Sequence, residues 1–200
     1  MSASGSANSG GRPSDPRYDS PRAAYIHVPF CRHHCGYCNF SVIANRLDLT
    51  EDYLRAIDLE SSALGGPHPV DTIYVGGGTP TQLPDDALTR LLSLLHERFP
   101  LTPQGELTVE ANPEDLQPEV VARLREAGVT RVSLGAQSFH EEKLRSLDRQ
   151  HTVAQIDAAI EALHDAELDV AVDLIFAAPQ ETLIGWQADL AAALQRQPGH

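Results

Sequence analysis

Three cysteines stand within eight residues, Cys31, Cys35 and Cys38, and they are the only cysteines of the chain. An odd number is a poor disulfide framework, and a reducing compartment would keep them as thiols. The spacing C-x3-C-x2-C lets one loop wrap several corners of a cubic iron–sulfur cluster, which needs one thiolate per iron. Three thiolates leave one iron open to a small molecule, much as a catalytic zinc keeps an open position. Two other chemistries use the same residue types. Zinc would take the thiolates and a fourth ligand from His27, His33 or His34. A redox pair would use Cys35 and Cys38 alone, and the extra Cys31 counts against it. His33 and His34 otherwise read as loop residues beside the thiols.

Other chemically unusual runs follow: Gly76-Gly77-Gly78-Thr79-Pro80, Glu110-Ala111-Asn112-Pro113, Gly135-Ala136-Gln137-Ser138-Phe139 and Asp173-Leu174-Ile175-Phe176. Consecutive glycines let a backbone approach a ligand closely, or simply make a tight turn. The glycine run is not G-x-G-x-x-G, since Thr81 holds the last position, so no dinucleotide fingerprint is present. Glu110 alone reads equally as a solvated charge. Asp173 interrupts an apolar stretch and needs a partner if buried. Arg149 is a candidate for that partner, or the two could clamp a ligand.

These runs need elements to hold them. Apolar segments at Ala24–Val28, Thr72–Val75, Leu107–Glu110, Val129–Leu134 and Leu168–Phe176 read as strands, and the unusual residues sit at their ends. Between them, helical periodicity marks Glu51–Leu64, Asp85–Phe99, Pro118–Ala127, Glu141–Leu147, Val153–Ala166 and Leu183–Gln195. Thr50 is the expected N-cap of the first helix and Gly128 the expected C′ residue of the third. Strict alternation predicts an α/β fold, a partial parallel (β/α) barrel. About five β–α units are visible, and a sixth is expected beyond them. Near-continuous apolar strands predict burial on both faces. In such barrels chemistry sits where strands end.

The chain carries 15 Lys and Arg against 28 Asp and Glu, a net charge of −13. Five Arg against three Asp give the first 49 residues +2 and leave −15 for the remainder. That balance disfavours nucleic acid, whose phosphates are met by Lys and Arg. Residues 1–22, rich in Ser, Gly, Pro and Arg, read as a disordered tail before a core domain at 23–200. The tail has no apolar signal segment, and no apolar run reaches the roughly 20 residues of a membrane span. A cytoplasmic protein without stable membrane insertion is expected.

The cysteine loop after a short first strand resembles that of the radical S-adenosylmethionine (SAM) enzymes. With YIHVPFC, GGGTPT, VEANPE, LGAQSF and DLIFAAPQET in order, the chain from about Tyr25 to His200 resembles the family of oxygen-independent coproporphyrinogen III oxidase and the haem chaperone HemW. The resemblance implies a [4Fe–4S] cluster on Cys31, Cys35 and Cys38. SAM would chelate the open iron, and one-electron cleavage would give a deoxyadenosyl radical. By the same resemblance, Tyr25, Tyr37, Gly77, Gly78, Thr79 and Glu110 match SAM contacts. Gln137, Arg149 and Asp173 match a second SAM site of the oxidase branch. That branch typically has a further cysteine two residues after the third ligand, where this chain has Phe40. The departure points to the haem-chaperone branch, with oxidative decarboxylation of coproporphyrinogen as the alternative. A zinc-stabilised binding protein is a third reading. The implied partners are haem or a porphyrinogen, a low-potential electron donor and a haem-acceptor protein. The His-Asn haem segment of the chaperone branch does not occur in these residues, and His27 and His151 are weak candidates for a haem ligand.

Overall fold

The computed structural model describes residues 21–200. The expected tail, 1–22, therefore lies outside the described residues except at its end. There the Arg22 carbonyl accepts the Asp71 N–H at 2.8 Å, and the Arg22 guanidinium pairs with the Asp71 carboxylate.

The strands and helices alternate as their apolar periodicities dictate. β1 (Ala23–Val28) leads through the two-residue strands β2 (Phe30–Cys31) and β3 (Ile43–Ala44) into α1 (Thr50–Ser62). β4 (Val70–Gly77) precedes α2 (Asp85–Arg98), and β5 (Leu101–Ala111) precedes α3 (Pro118–Glu126). β6 (Arg131–Gln137) is followed by α4 (Glu141–Ser146) and α5 (Val153–Asp165), and β7 (Asp169–Leu174) by α6 (Leu183–Gln195). The main sheet runs in the order β1-β4-β5-β6-β7, each neighbouring pair parallel. This is the expected partial parallel (β/α) barrel. Beside β7, the Gly199 N–H donates to the Val170 carbonyl and the Val172 N–H to the His200 carbonyl, both at 2.9 Å.

Burial on both strand faces holds in the centre of the sheet, where Thr108 and Ser133 are buried as well as the aliphatic residues beside them, but not on the edge strand, where Tyr25 is exposed. The registers Tyr25↔Tyr74, Tyr74↔Thr108, Thr108↔Arg131 and Glu110↔Ser133 place polar side chains in rows on one face. The alternate residues Val28, Val75, Leu107, Val109, Val132 and Leu134 face the other way and are fully buried. Against them pack Leu91, Leu92 and Leu95 of α2, Leu124 of α3 and Ile156 and Leu163 of α5. Each such side chain contributes roughly 1.5–3 kcal/mol by leaving water. The polar rows are joined sideways: Arg131 donates to Thr108 at 3.0 Å and pairs with Glu106 at 2.9 Å, and Ser133 donates to Asp173 at 3.1 Å. Period-2 alternation, not a continuous apolar run, is the pattern these strands follow.

Helix ends follow local chemistry with one correction. Thr50 is the first helical residue of α1, not its N-cap; its hydroxyl donates back to the Leu47 carbonyl at 2.7 Å, and Leu49 occupies the cap. Gly128 has φ +78, and the Val129 N–H reaches the Leu124 carbonyl at 3.0 Å, closing α3 as expected. α5 opens with a full capping box between Thr152 and Gln155.

Candidate functional site

The cysteine loop starts at the C-terminal end of β1. Pairing of Phe30 with Ile43 and Cys31 with Ala44 fastens its two ends together. Inside it, the Cys38 N–H donates to the Cys35 carbonyl at 3.0 Å, turning the chain so that both side chains share one side. The loop caps a cavity of about 570 Å³ at the strand ends. Its walls include Cys31, Cys35, Tyr37, Cys38, Gly77, Gly78, Thr79, Glu110, Gln137, Arg149 and Asp173. Of the candidate histidines only His33 lines the cavity, while every candidate for cluster or SAM binding is there except Tyr25. Its ring stacks on Tyr74 at 5.9 Å on the polar sheet face, and Tyr74 itself lines the cavity. A more open depression of about 440 Å³, between α4 and the loop after β7, contains none of these residues.

The glycine turn is fixed on three sides. The Gly77 N–H donates to Glu110 Oε2 at 2.8 Å, Gly78 N–H to the Val28 carbonyl at 2.8 Å and Thr79 N–H to the Phe30 carbonyl at 2.7 Å. A Cβ on Gly78 would stand 2.5 Å from the Phe30 carbonyl oxygen, and one on Gly77, where φ is +106, would strike the His27 ring. A Cβ on Gly76 would meet the Glu110 carboxylate. The glycines thus let the chain pass close to its own neighbours. With these amides engaged, and the Thr79 carbonyl already accepting the Gln82 N–H at 3.0 Å, what the turn can offer a ligand is carbonyl oxygen, which suits a donor such as an ammonium group.

Glu110 also accepts the Tyr74 hydroxyl at 2.8 Å. Burial still holds its carboxyl above the ordinary carboxylate range, against these two donors. Asp173 is likewise raised by burial, with the Ser133 hydroxyl as its hydrogen-bond donor. The expected Asp173–Arg149 pair does not form. Arg149 is held instead by the Asn112 side chain, the Gly135 carbonyl at 3.3 Å and His151 Nδ1 at 3.3 Å. One guanidinium nitrogen then lies 3.5 Å from both Cys35 Sγ and the Tyr37 hydroxyl. Arg149 Nε is buried without a partner. Burial pushes the Tyr37 phenol up to about 12.

The three thiols are free. Cys31 Sγ is 3.8 Å from the Thr79 hydroxyl, and Cys35 Sγ is 3.5 Å from His33 Nε2. Among the described residues no three His, Cys, Asp or Glu side chains, the three cysteines included, gather as ligands of a single ion. Three thiols on one cavity wall, one faced by a guanidinium that would offset cluster charge, are a donor set that fits a cube with one open corner. His33 is a neighbour of the thiols, as expected. Tyr74 and Ser133 join the site without having been singled out in the sequence, as does Asn112, which the sequence marks only within its strand-end run. The alternation in Thr72-Ile73-Tyr74-Val75 and Arg131-Val132-Ser133-Leu134 is the signal for two of them.

The chain matches the radical SAM superfamily over residues 25–191. It is 36% identical over 181 residues to the haem chaperone HemW of Lactococcus lactis subsp. lactis, covering 90% of this chain and 48% of that protein. It is 35% identical over 165 residues to an oxygen-independent coproporphyrinogen III oxidase of Bradyrhizobium diazoefficiens, covering 80% and 37%. Among solved structures, coproporphyrinogen III oxidase (HemN) from Escherichia coli, described as a radical SAM enzyme, is similar with a TM-score of 0.81 and 28% identity, over 91% of this chain and 43% of that one. The chain spans about half the length of the curated relatives it matches. Among the described residues no helix is long and apolar enough to cross a membrane.

Proposed function

The chain belongs to the radical SAM superfamily, and from that premise we propose that it is the core of a HemW-like haem chaperone that holds a [4Fe–4S] cluster and SAM. The observation that carries this reading is the single cavity lined by the three cysteines and by the side chains of four strand ends. When bound, the cluster supplies a low-potential electron and an open iron to the sulfonium cofactor.

Each residue then has a task. Cys31, Cys35 and Cys38 ligate three irons. Arg149, beside Cys35, offsets the negative charge of the thiolates. Carbonyls of the Gly77–Thr79 turn receive the cofactor's amino group. Glu110, an acceptor with room beyond its two present donors, takes ribose hydroxyls. Tyr37 offers a flat apolar surface to an adenine ring. Tyr25 supports the site through Tyr74. The protein excludes water, orients the cofactor and takes its electron from a low-potential donor.

Phe40 favours the chaperone reading. It is 66% exposed at the mouth of the cavity, where the oxidase branch typically carries a fourth cysteine. Haem, delivered to an acceptor protein, is the proposed cargo, and cytoplasm the proposed compartment. Gln137, Arg149 and Asp173 favour the second reading, coproporphyrinogen oxidation with a second SAM, because all three line the same cavity.

Anaerobic reconstitution tests the shared premise. About four iron and four sulfide per chain are expected, lost when any of the three cysteines becomes Ala. One zinc without sulfide would reject it. Haem binding and coproporphyrinogen turnover by the full-length protein separate the two readings: turnover without haem affinity would overturn the chaperone.

A further inference from the structure

A carboxylate outside the cavity is tied to one of its walls. Asp189 lies on α6 with no exposed surface. It accepts the Ser138 hydroxyl at 2.9 Å on both oxygens and the Phe139 N–H at 2.7 Å. Lys143 reaches it at 2.8 Å and also pairs with Glu181. Ser138 and Phe139 directly follow Gln137.

Gln137 stands in the left-handed region, with φ +65, where β6 ends. A non-glycine residue held there costs about 1–3 kcal/mol and persists only where its surroundings over-determine it. The surroundings here are specific. The Ser138 N–H turns back to the Ala136 carbonyl at 2.8 Å, and the His140 N–H donates to Ser138 Oγ at 3.0 Å. Asp189 fastens the two residues that complete the turn. The Gln137 side chain folds back over Gly135: a Cβ there would be 2.9 Å from Gln137 Nε2 and 3.4 Å from Asn112 Oδ1. The missing side chain of Gly135 makes the space, and the Asp189 anchor sets the backbone that aims Gln137 into it.

We infer that Asp189 is a positioning residue for the SAM pocket, acting through Ser138 and Phe139 to hold Gln137 against the cavity. The inference rests on the reading of this cavity as a SAM site, and it gives Gln137 a role at the cluster-bound SAM itself rather than only at the second SAM of the oxidase reading. It separates two parts of one buried network: the bonds to Ser138 and Phe139 orient Gln137, and the Lys143–Glu181 arm fastens the loop after β7.

The test uses the cluster-loaded protein, with SAM affinity read from equilibrium dialysis and from the change SAM makes in the paramagnetic resonance of the reduced cluster. Asp189→Asn and Gln137→Ala should each weaken SAM binding about tenfold, and the double variant should lose no more than the worse single one. Lys143→Met should lower thermal stability as far as Asp189→Asn does, yet leave SAM affinity within about twofold. If Asp189→Asn takes up no iron, Ser138→Ala replaces it with the same expectations. Additive losses, an unchanged affinity, or an equal loss in Lys143→Met would overturn the inference alone. Failure of the wild-type protein to bind SAM would remove the reading beneath it, and the inference with it.

Discussion

Arg32 and Asp115 tie the cysteine loop to the turn after β5: the guanidinium lies 2.9 Å from a carboxylate oxygen that is almost fully buried. Burial, then the neighbouring Glu114, push the Asp115 carboxyl up, and Arg32 only partly offsets them. Arg32 is more than half exposed, so water screens the pair and its net value is modest. Arg32→Met should therefore cost about 1 kcal/mol in urea unfolding of the apoprotein. It should also speed iron loss to a chelator, because the loop that holds the thiols loses one of its fastenings. Unchanged chelation kinetics would count against this role for the pair.

Gly78 admits no side chain. Its Cβ would fall 2.5 Å from the Phe30 carbonyl oxygen and 2.7 Å from that of Val28, both backbone atoms that cannot rotate away. Gly78→Ala should destabilise the apoprotein by about 1–3 kcal/mol and lower iron uptake, since Phe30 precedes Cys31. Gly36, with open space around it, is the control: Gly36→Ala should be nearly silent in both measurements.

Asp173 gives a pH dependence of defined sign. Burial raises its carboxyl above the ordinary value, while Ser133, His200 and Arg131 pull it down without prevailing. A raised acid favours the folded state when protonated, so its contribution is full below the ordinary Asp range and lost as pH rises through the folded value. Asp173→Asn should thus stabilise the protein at neutral pH, and the gain should vanish as pH falls into the ordinary Asp range of about 4. Urea titrations of both proteins across that interval decide it. A difference that does not change with pH would show the effect is not ionisation.

Thr152 caps α5 three residues after Arg149, the residue that faces Cys35. Its side chain accepts the Gln155 N–H at 3.3 Å, and Gln155 answers to the Thr152 N–H at 2.9 Å. Thr152→Ala should cost about 1 kcal/mol, with iron content unchanged. A fall in iron content would mean α5 supports the site more directly than its packing indicates.

Much of this was readable in the chain. The order of strands and helices, the C′ role of Gly128 and the gathering of the strand-end residues around the cysteines all follow from periodicity and spacing. β5 was the least legible strand: it begins at Leu101, because Pro103 and Gly105 look like a turn, and its register shifts between Val70 and Thr72 of the partner. The polar sheet face is harder to read, because single polar residues between aliphatics look like exceptions within an apolar strand. Tyr74 and Ser133 instead line the cavity, with Thr108 buried in the same polar row. The partner of Asp173 was also out of reach. Which donor meets a strand carboxylate depends on registers across the sheet, and Arg149 is drawn away by Asn112 and Gly135, residues 37 and 14 positions from it.

The engaged amides of the glycine turn carry a consequence for selectivity. Many glycine-rich loops greet oxyanions through unpaired N–H groups. Here Gly77, Gly78 and Thr79 have already spent theirs on Glu110 and on the backbone of the first strands. Adenosine triphosphate shares its purine and sugar with an adenosyl sulfonium, yet its phosphates would find no cradle at this turn and a carboxylate beside it. Discrimination between two adenosine-bearing molecules would then come from rejection of one as much as from attraction of the other.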